Sequence, residues 1–211
     1  YSVFKPSQYQ RWTGNVKKYK FDKNLNGEYQ IFDKNNNVAI ENGFFKESSQ
    51  DFWSDEIDGN DASKGGAASN LELPRYAYTY TGVNDPDNVT LGDNHKLVVD
   101  NNNIDKDLLD MNSADDDVFN VTRLWLMGYD VLDDDGDGVT NEVRKRMGSA
   151  LHSRPILVTY GNNNNTVFVT TNEGFLHAVV ADTGEEIFSF MPPEFIEEAQ
   201  YRVANEPGDL L

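Results

Sequence analysis

Apolar and polar residues alternate over short stretches of this chain, and clusters of Asn, Asp and Gly break the alternation into hairpin-sized pieces. The pattern is sharpest after Pro155. Ile156–Tyr160, Thr166–Thr171, Phe175–Val180 and Ile187–Phe190 read as four successive strands, joined by turns at Asn162–Asn165, Asn172–Gly174 and Asp182–Glu185. Four short strands with such connections amount to one four-stranded antiparallel sheet over residues 155–190, the size of a propeller blade. Residues 9–45 read as a β meander, with turns at Asp22–Gly27 and Asp33–Asn37. Arg75–Thr81 alternates strictly and predicts a strand. Gly65–Ala68 predicts a close approach that only small side chains permit. Residues 104–111 predict a short helix, Val121–Met127 fits helix or strand, and 194–204 predicts a helix begun by Pro192-Pro193. Glycines 14 and 174 each stand just before an apolar run, a faint sign of an internal repeat.

The expected fold is therefore all-β: an incomplete, modified β-propeller across residues 1–211, with several antiparallel four-stranded blades, long Asn/Asp-rich loops and a few short helices. Residues 1–81 read as a first blade region. Residues 82–150 read as an insertion-like acidic region, partly mobile, with Asn84–Asn88 as one of its loops.

Composition sharpens the functional expectation. Hydrophobic residues make up 38% of the 211 and aromatics 12%, enough to pack a core. Lys and Arg number 18 against 36 Asp and Glu, a formal charge of −18. That field repels nucleic-acid backbones and anionic membranes and attracts divalent cations and basic partners. There is no cysteine, which removes disulfides, thiolate metal sites and thiol nucleophiles. No apolar run is long enough to span a membrane, no signal peptide is recognisable, and the opening Tyr1–Pro6 reads as mid-protein sequence.

The strongest chemical signal is Asp133-Asp-Asp-Gly-Asp-Gly-Val-Thr-Asn-Glu142. Asp133, Asp135, Asp137 and Asn141 supply side-chain oxygens at relative positions 1, 3, 5 and 9. Gly138 stands at position 6, where such a loop turns sharply, and Val139 at position 7 presents its carbonyl. This is the spacing of an EF-hand-type calcium loop. It departs from that pattern at position 12, where Arg144 replaces the bidentate Glu. Glu142 is left as the nearby carboxylate able to close the shell, which predicts a shortened loop completed by Glu142 or water. Ca²⁺ is preferred over Mg²⁺, which tolerates flexible all-protein cages poorly. Asp22, Asn24, Asn26 and Gly27 form a poorer candidate, better read as a hairpin turn. Asp55, Asp58, Asn60 and Asp61 read as a loop.

Trp12–Tyr19, Phe52-Trp53, Asp58-Gly59, Gly65–Ala68, Arg75 and Tyr78-Thr79 are followed in order by Leu151–Pro155, Thr171–Ala178, Thr183–Glu185 and Phe190–Glu194. This ordered set resembles the opening of the C-terminal domain of the PilC/PilY family of type IV pilus tip adhesins and assembly factors. The resemblance implies a modified propeller at the pilus tip, supporting pilus extension and surface adhesion outside the cell, with pilins or minor pilins as partners. It also implies a calcium loop, carried here by Asp133, Asp135, Asp137, Val139 and Asn141. A full propeller of that family is more than twice this length, so a further chain or segment is expected to complete the sheets.

Two other readings share parts of this pattern. One is a secreted, calcium-stabilised β-domain for carbohydrate or protein binding. The other is a quinoprotein-type propeller enzyme, to which Asp182–Glu185 is similar, but no cofactor platform accompanies that turn. His95, His152 and His177 lack a triad context, so no catalytic residue is assigned and the chain is expected not to be an enzyme. Three Asn-X-Thr triplets at 88–90, 120–122 and 164–166 are read as chance in an Asn-rich chain.

Overall fold

A computed structural model describes residues 1–9, 11–83, 91–162 and 164–206. The expected loop at Asn84–Asn88 and the triplet at 88–90 lie outside them. The described chain is mainly β, with antiparallel pairing and four short helices. No sheet among the described residues closes into a barrel, and no helix is long and apolar enough to cross a membrane.

The first strands do not assemble into one four-stranded sheet. β1 (Ser2–Lys5) pairs with β2 (Thr13–Val16). β3 (Lys20–Lys23) and β4 (Tyr29–Phe32) make a separate hairpin, and β5 (Ile40–Glu41) with β6 (Phe44–Phe45) another. β2 turns its second edge to a strand far along the chain, β8 (Met147–Gly148). A Cβ on Gly14 would lie 2.3 Å from the Gly148 carbonyl oxygen, so the two backbones meet only because position 14 has no side chain. Gly174 instead occupies a turn at φ +92°. The two glycines do different work, and the expected repeat is not structural.

Between these strands lies α1 (Gly66–Ser69), one helical turn with Gly66, Ala67 and Ala68 buried. Asn15 donates to the Gly65 carbonyl at 2.8 Å and accepts from the Ala68 amide at 3.0 Å, fixing α1 on β2. The close approach expected at Gly65–Ala68 is present. Val16, Trp53, Ala67, Ala68, Leu71 and Met147 form one core with Val169 and Val179.

The Arg75–Thr81 segment contributes only β7 (Ala77–Tyr78). Residues 104–111 are a run of turns, not a helix. Their Asp side chains compete for backbone amides, as where Asp105 accepts from Leu108 at 2.9 Å, and Asp110 sits at φ +50°. α2 (Asp116–Leu126) resolves the ambiguity at Val121–Met127 in favour of helix. Asp116 and Asp117 occupy its first turn, where the helix dipole favours negative charge. The acidic middle of the chain is also a core supplier. Leu97, Ile104, Leu109, Met111, Trp125 and Leu126 pack with Phe175, Met191 and Ile196 in a second core. Asn101 explains how so polar a segment is ordered: its amide donates to the carbonyls of Asn94 at 2.9 Å and Lys96 at 2.8 Å.

β9 (Ile156–Thr159), β10 (Asn165–Thr170), β11 (Leu176–Val180) and β12 (Glu186–Phe190) follow as an antiparallel meander at the positions the alternation predicts. β7 adds in parallel to β12, giving the order β7-β12-β11-β10-β9. Val169, His177, Val179 and Ser189 share the covered face. Phe168 and Phe188, 6.3 Å apart, stand half-buried on the other beside exposed Ile156. The predicted helix at 194–204 is split into α3 (Pro193–Ile196) and α4 (Ala199–Ala204).

Among the described residues, three Lys or Arg ion pairs are buried. Lys17 reaches Asp58 at 2.6 Å, Arg144 reaches Glu173 at 2.9 Å, and Arg75 reaches Glu186 at 2.6 Å. Asp58, expected as plain loop, is thus an internal counter-ion. Arg75 also contacts Ser189 at 3.3 Å and His177 Nδ1 at 3.4 Å, while His177 lies 2.8 Å from Glu186. Burial alone would push the Glu186 carboxyl up. The Arg75 charge and the bonds from His177 and Arg75 override it and hold Glu186 at about 2. Burial pulls His177 below its usual value, against the raising influence of Glu186.

Removing one partner from such a pair leaves the other charge buried. Arg75→Ala is expected to cost ~3–5 kcal/mol of stability, read by urea denaturation. The Glu186 contribution is present above the unfolded carboxyl value of 4.5 and is lost as pH falls toward 2. The stability gap between wild type and Glu186→Gln is therefore expected to shrink across that window. A gap that widens on acidification contradicts the assignment.

Candidate metal centre

The acidic loop hangs from a narrow neck. Tyr129 and Val143 form an antiparallel bridge, Asp130 donates its amide to the Glu142 carbonyl at 2.9 Å, and Arg144 donates to the Gly128 carbonyl at 2.8 Å. Both limbs are thus tied where α2 ends. Within the loop, aspartate side chains accept from backbone amides ahead of them. Asp133 Oδ1 accepts from Gly138 at 3.0 Å, Asp135 Oδ1 from Asp137 at 3.3 Å, and Asp137 Oδ1 from Val139 at 2.7 Å. Gly138 sits at φ +86°, a conformation that L side chains rarely adopt.

This folding brings carboxylates together in two overlapping groups. Asp133, Asp135 and Asp137 form one, and Asp130, Asp135 and Glu142 the other; in each, one oxygen per residue lies within 4.8 Å of the others. Oxygens on opposite sides of an ion bound at about 2.4 Å are separated by about that distance. The donors are all hard oxygens, the set that suits alkaline-earth cations rather than softer metals. Either group could hold a metal ion, and Asp135 belongs to both.

Four of the six sequence-predicted residues are therefore gathered: Asp133, Asp135, Asp137 and Glu142. Val139 and Asn141 stand on the exposed returning limb. Asp130 was missed by sequence reasoning because it precedes the motif by three residues. It is 2% exposed, and its Oδ1 accepts from the Asp134 amide at 2.9 Å. The only signal for it in the sequence is an acidic residue directly after the apolar helix end, Gly128-Tyr129.

Crowding shows in the electrostatics. Burial pushes Asp130 up, against the pull of the Asp134 amide and with help from the Asp134 and Asp135 charges. Desolvation and then the charges of Asp137 and Asp135 push Glu142 up. Asp134 escapes the crowd by turning outward, where Arg11 Nη1 meets its Oδ2 at 3.2 Å.

Arg144 explains the departure at position 12. Its backbone closes the neck, but its side chain leaves the loop, binds both oxygens of Glu173 at 3.1 and 2.9 Å, and lies 4.4 Å from the Trp125 ring centroid. The poorer candidate at Asp22–Gly27 is a hairpin turn. Asn24 Oδ1 accepts from the amides of Asn26 and Glu28, both at 2.9 Å, and Asp22 pairs with Lys20 at 2.7 Å.

No protein-family model matches the chain, and no curated protein or solved structure matches it at a significant level.

The two outward and inward aspartates have separable roles. In titrations with a divalent cation followed by calorimetry, Asp134→Ala is expected to change affinity by no more than about twofold, while Asp130→Ala weakens it at least about tenfold, one lost ligand being worth some ~1.4 kcal/mol. The reverse order would place the ion on the Arg11 side of the loop.

Proposed function

We propose that this chain is a calcium-binding β-domain of a type IV pilus tip protein of the PilC/PilY kind, acting in pilus assembly and surface adhesion outside the cell. The observation that carries the calcium part is the gathering of Asp130, Asp133, Asp135, Asp137 and Glu142 into two carboxylate groups that share Asp135, inside a loop tied at both limbs. A single Ca²⁺ near Asp135 would replace carboxylate repulsion by attraction and fix the loop against the neck. Val139 and Asn141, with water, are available to fill a shell of 6–8 oxygens.

The pilus part rests on the ordered motif set. Its residues have defined structural positions that suit a shared scaffold. Trp12–Tyr19 contains β2, Gly65–Ala68 supplies α1, and Arg75 and the 171–178 motif supply Arg75, Glu173 and His177 to the buried polar pairs. The four-stranded meander of β9–β12 is the size of one propeller blade. Phe168, Phe188 and Ile156 leave its outer face apolar, as a stacked blade from a further segment would require. In this reading pilins or minor pilins are the partners, and the ion keeps the 130–142 segment in one shape beside the sheet.

Isothermal calorimetry tests the metal: wild type should bind one Ca²⁺ with measurable heat and Asp135→Ala none, and equal heats would discard the site. Affinity capture from pilus-bearing cells tests the partner. Minor pilins should be retained in calcium and released in EDTA; their retention in neither condition favours a general secreted calcium-stabilised β-domain.

A further inference from the structure

One end of the β1-β2-β8 sheet gathers three cationic side chains. Lys5 ends β1, Arg11 precedes β2, and Arg146 precedes β8. The three converge on a cleft of about 250 Å³ that Trp12, Thr13 and Asn205 also line. Two carboxylates border the cleft, and both are already engaged: Asp134 by Arg11, and Glu173 by both its oxygens to Arg144. Among the described residues, Arg146 bonds only to neutral acceptors, the Thr13 hydroxyl and the Asp134 carbonyl. Among the described residues, Lys5 and Arg146 have no carboxylate partner. In a chain of net charge −18, the cleft brings these two cations together in one concavity.

We infer that this cleft is a binding site for a carboxylated sugar, the hexuronate unit of an acidic polysaccharide. Each part of such a unit has a counterpart. The carboxylate meets Arg146 and Lys5, and guanidinium pairs with carboxylates through charge-assisted bonds. The sugar ring has a flat wall in Trp12, which is partly exposed and backed by Phe4 with ring centroids 6.1 Å apart. The hydroxyls meet the Thr13 hydroxyl and the Asn205 side-chain Nδ2, while Asn205 Oδ1 accepts from the Arg11 backbone amide at 2.8 Å. The cleft has room for more than a single inorganic anion, and its mixed lining would be wasted on one.

Trp12 also provides the readout. Trp53 is 8% exposed and Trp125 fully buried, so emission changes caused by an added solute report chiefly on Trp12. The full chain is titrated with sodium glucuronate, glucose and sodium sulfate, all in EDTA, which keeps the acidic loop free of metal. The outcome is thereby independent of the calcium reading. Glucuronate should give a saturable change, glucose none, and sulfate a response at least about tenfold weaker. Lys5→Gln and Arg146→Gln should each weaken glucuronate binding about tenfold, the scale of one charge-assisted contact, with far-UV circular dichroism unchanged. Arg146 also braces Asp134, so Lys5→Gln, at an exposed strand end, is the variant that does not threaten the fold. Equal responses to glucose and glucuronate, sulfate as strong as glucuronate, or unchanged binding in Lys5→Gln would overturn the proposal.

Discussion

The guanidinium of Arg144 joins regions that the sequence keeps apart. Its backbone closes the neck of the acidic loop, and its side chain grips Glu173 in the turn before β11, 29 residues away, while lying over Trp125 of α2. Loop, helix and sheet therefore share one anchor. An ion pair in this setting is costly to desolvate, and both oxygens of Glu173 must be used to recover that cost. Once formed, it fixes where the loop's two limbs leave the body of the protein. The convergence of carboxylates follows from that placement, since Asp130 and Glu142 sit on opposite limbs and meet only when the neck is closed.

The same solution recurs inside the molecule. Lys17, Arg75 and Arg144 place cations in the interior, each paired with a carboxylate. Two apolar cores flank these pairs, one built around Trp53 and Val169, the other around Trp125 and Phe175. Internal pairs are neutral, so apart from buried Asp33, Asp51 and Asp130 most of the carboxylate excess lies toward the surface. Such a surface concentrates cations near the loop and makes the basic cleft at the end of β1 stand out.

Much of the β9–β12 meander was legible in the sequence because strand alternation and turn residues agree there. The loop was legible for the same kind of reason: its ligand spacing is local. What could not be read is what depends on distant partners. The pairing of β2 with β8 rests on Gly14 meeting Gly148, over a hundred residues apart, and nothing in the local pattern announces it. The 91–127 region reads as polar insertion because Asn and Asp dominate it, yet Leu97, Ile104, Leu109, Met111, Trp125, Leu126 and Met127 pack into one core. At 104–111 the periodicity suits a helix, but aspartate side chains capture backbone amides and a chain of turns results. Asp130 and Asp58 were hidden because burial and a partner, not spacing, give them their roles.

The central claim is that the carboxylates gathered by the Arg144-anchored neck enclose a divalent cation. Crystals grown in millimolar CaCl₂ and measured at long wavelength test it most directly. The account predicts an anomalous difference peak within coordinating distance of Asp135, about 2.3–2.6 Å from its carboxylate oxygen and from those of neighbouring Asp130, Asp133, Asp137 or Glu142. A loop in the same conformation without any such peak would contradict it.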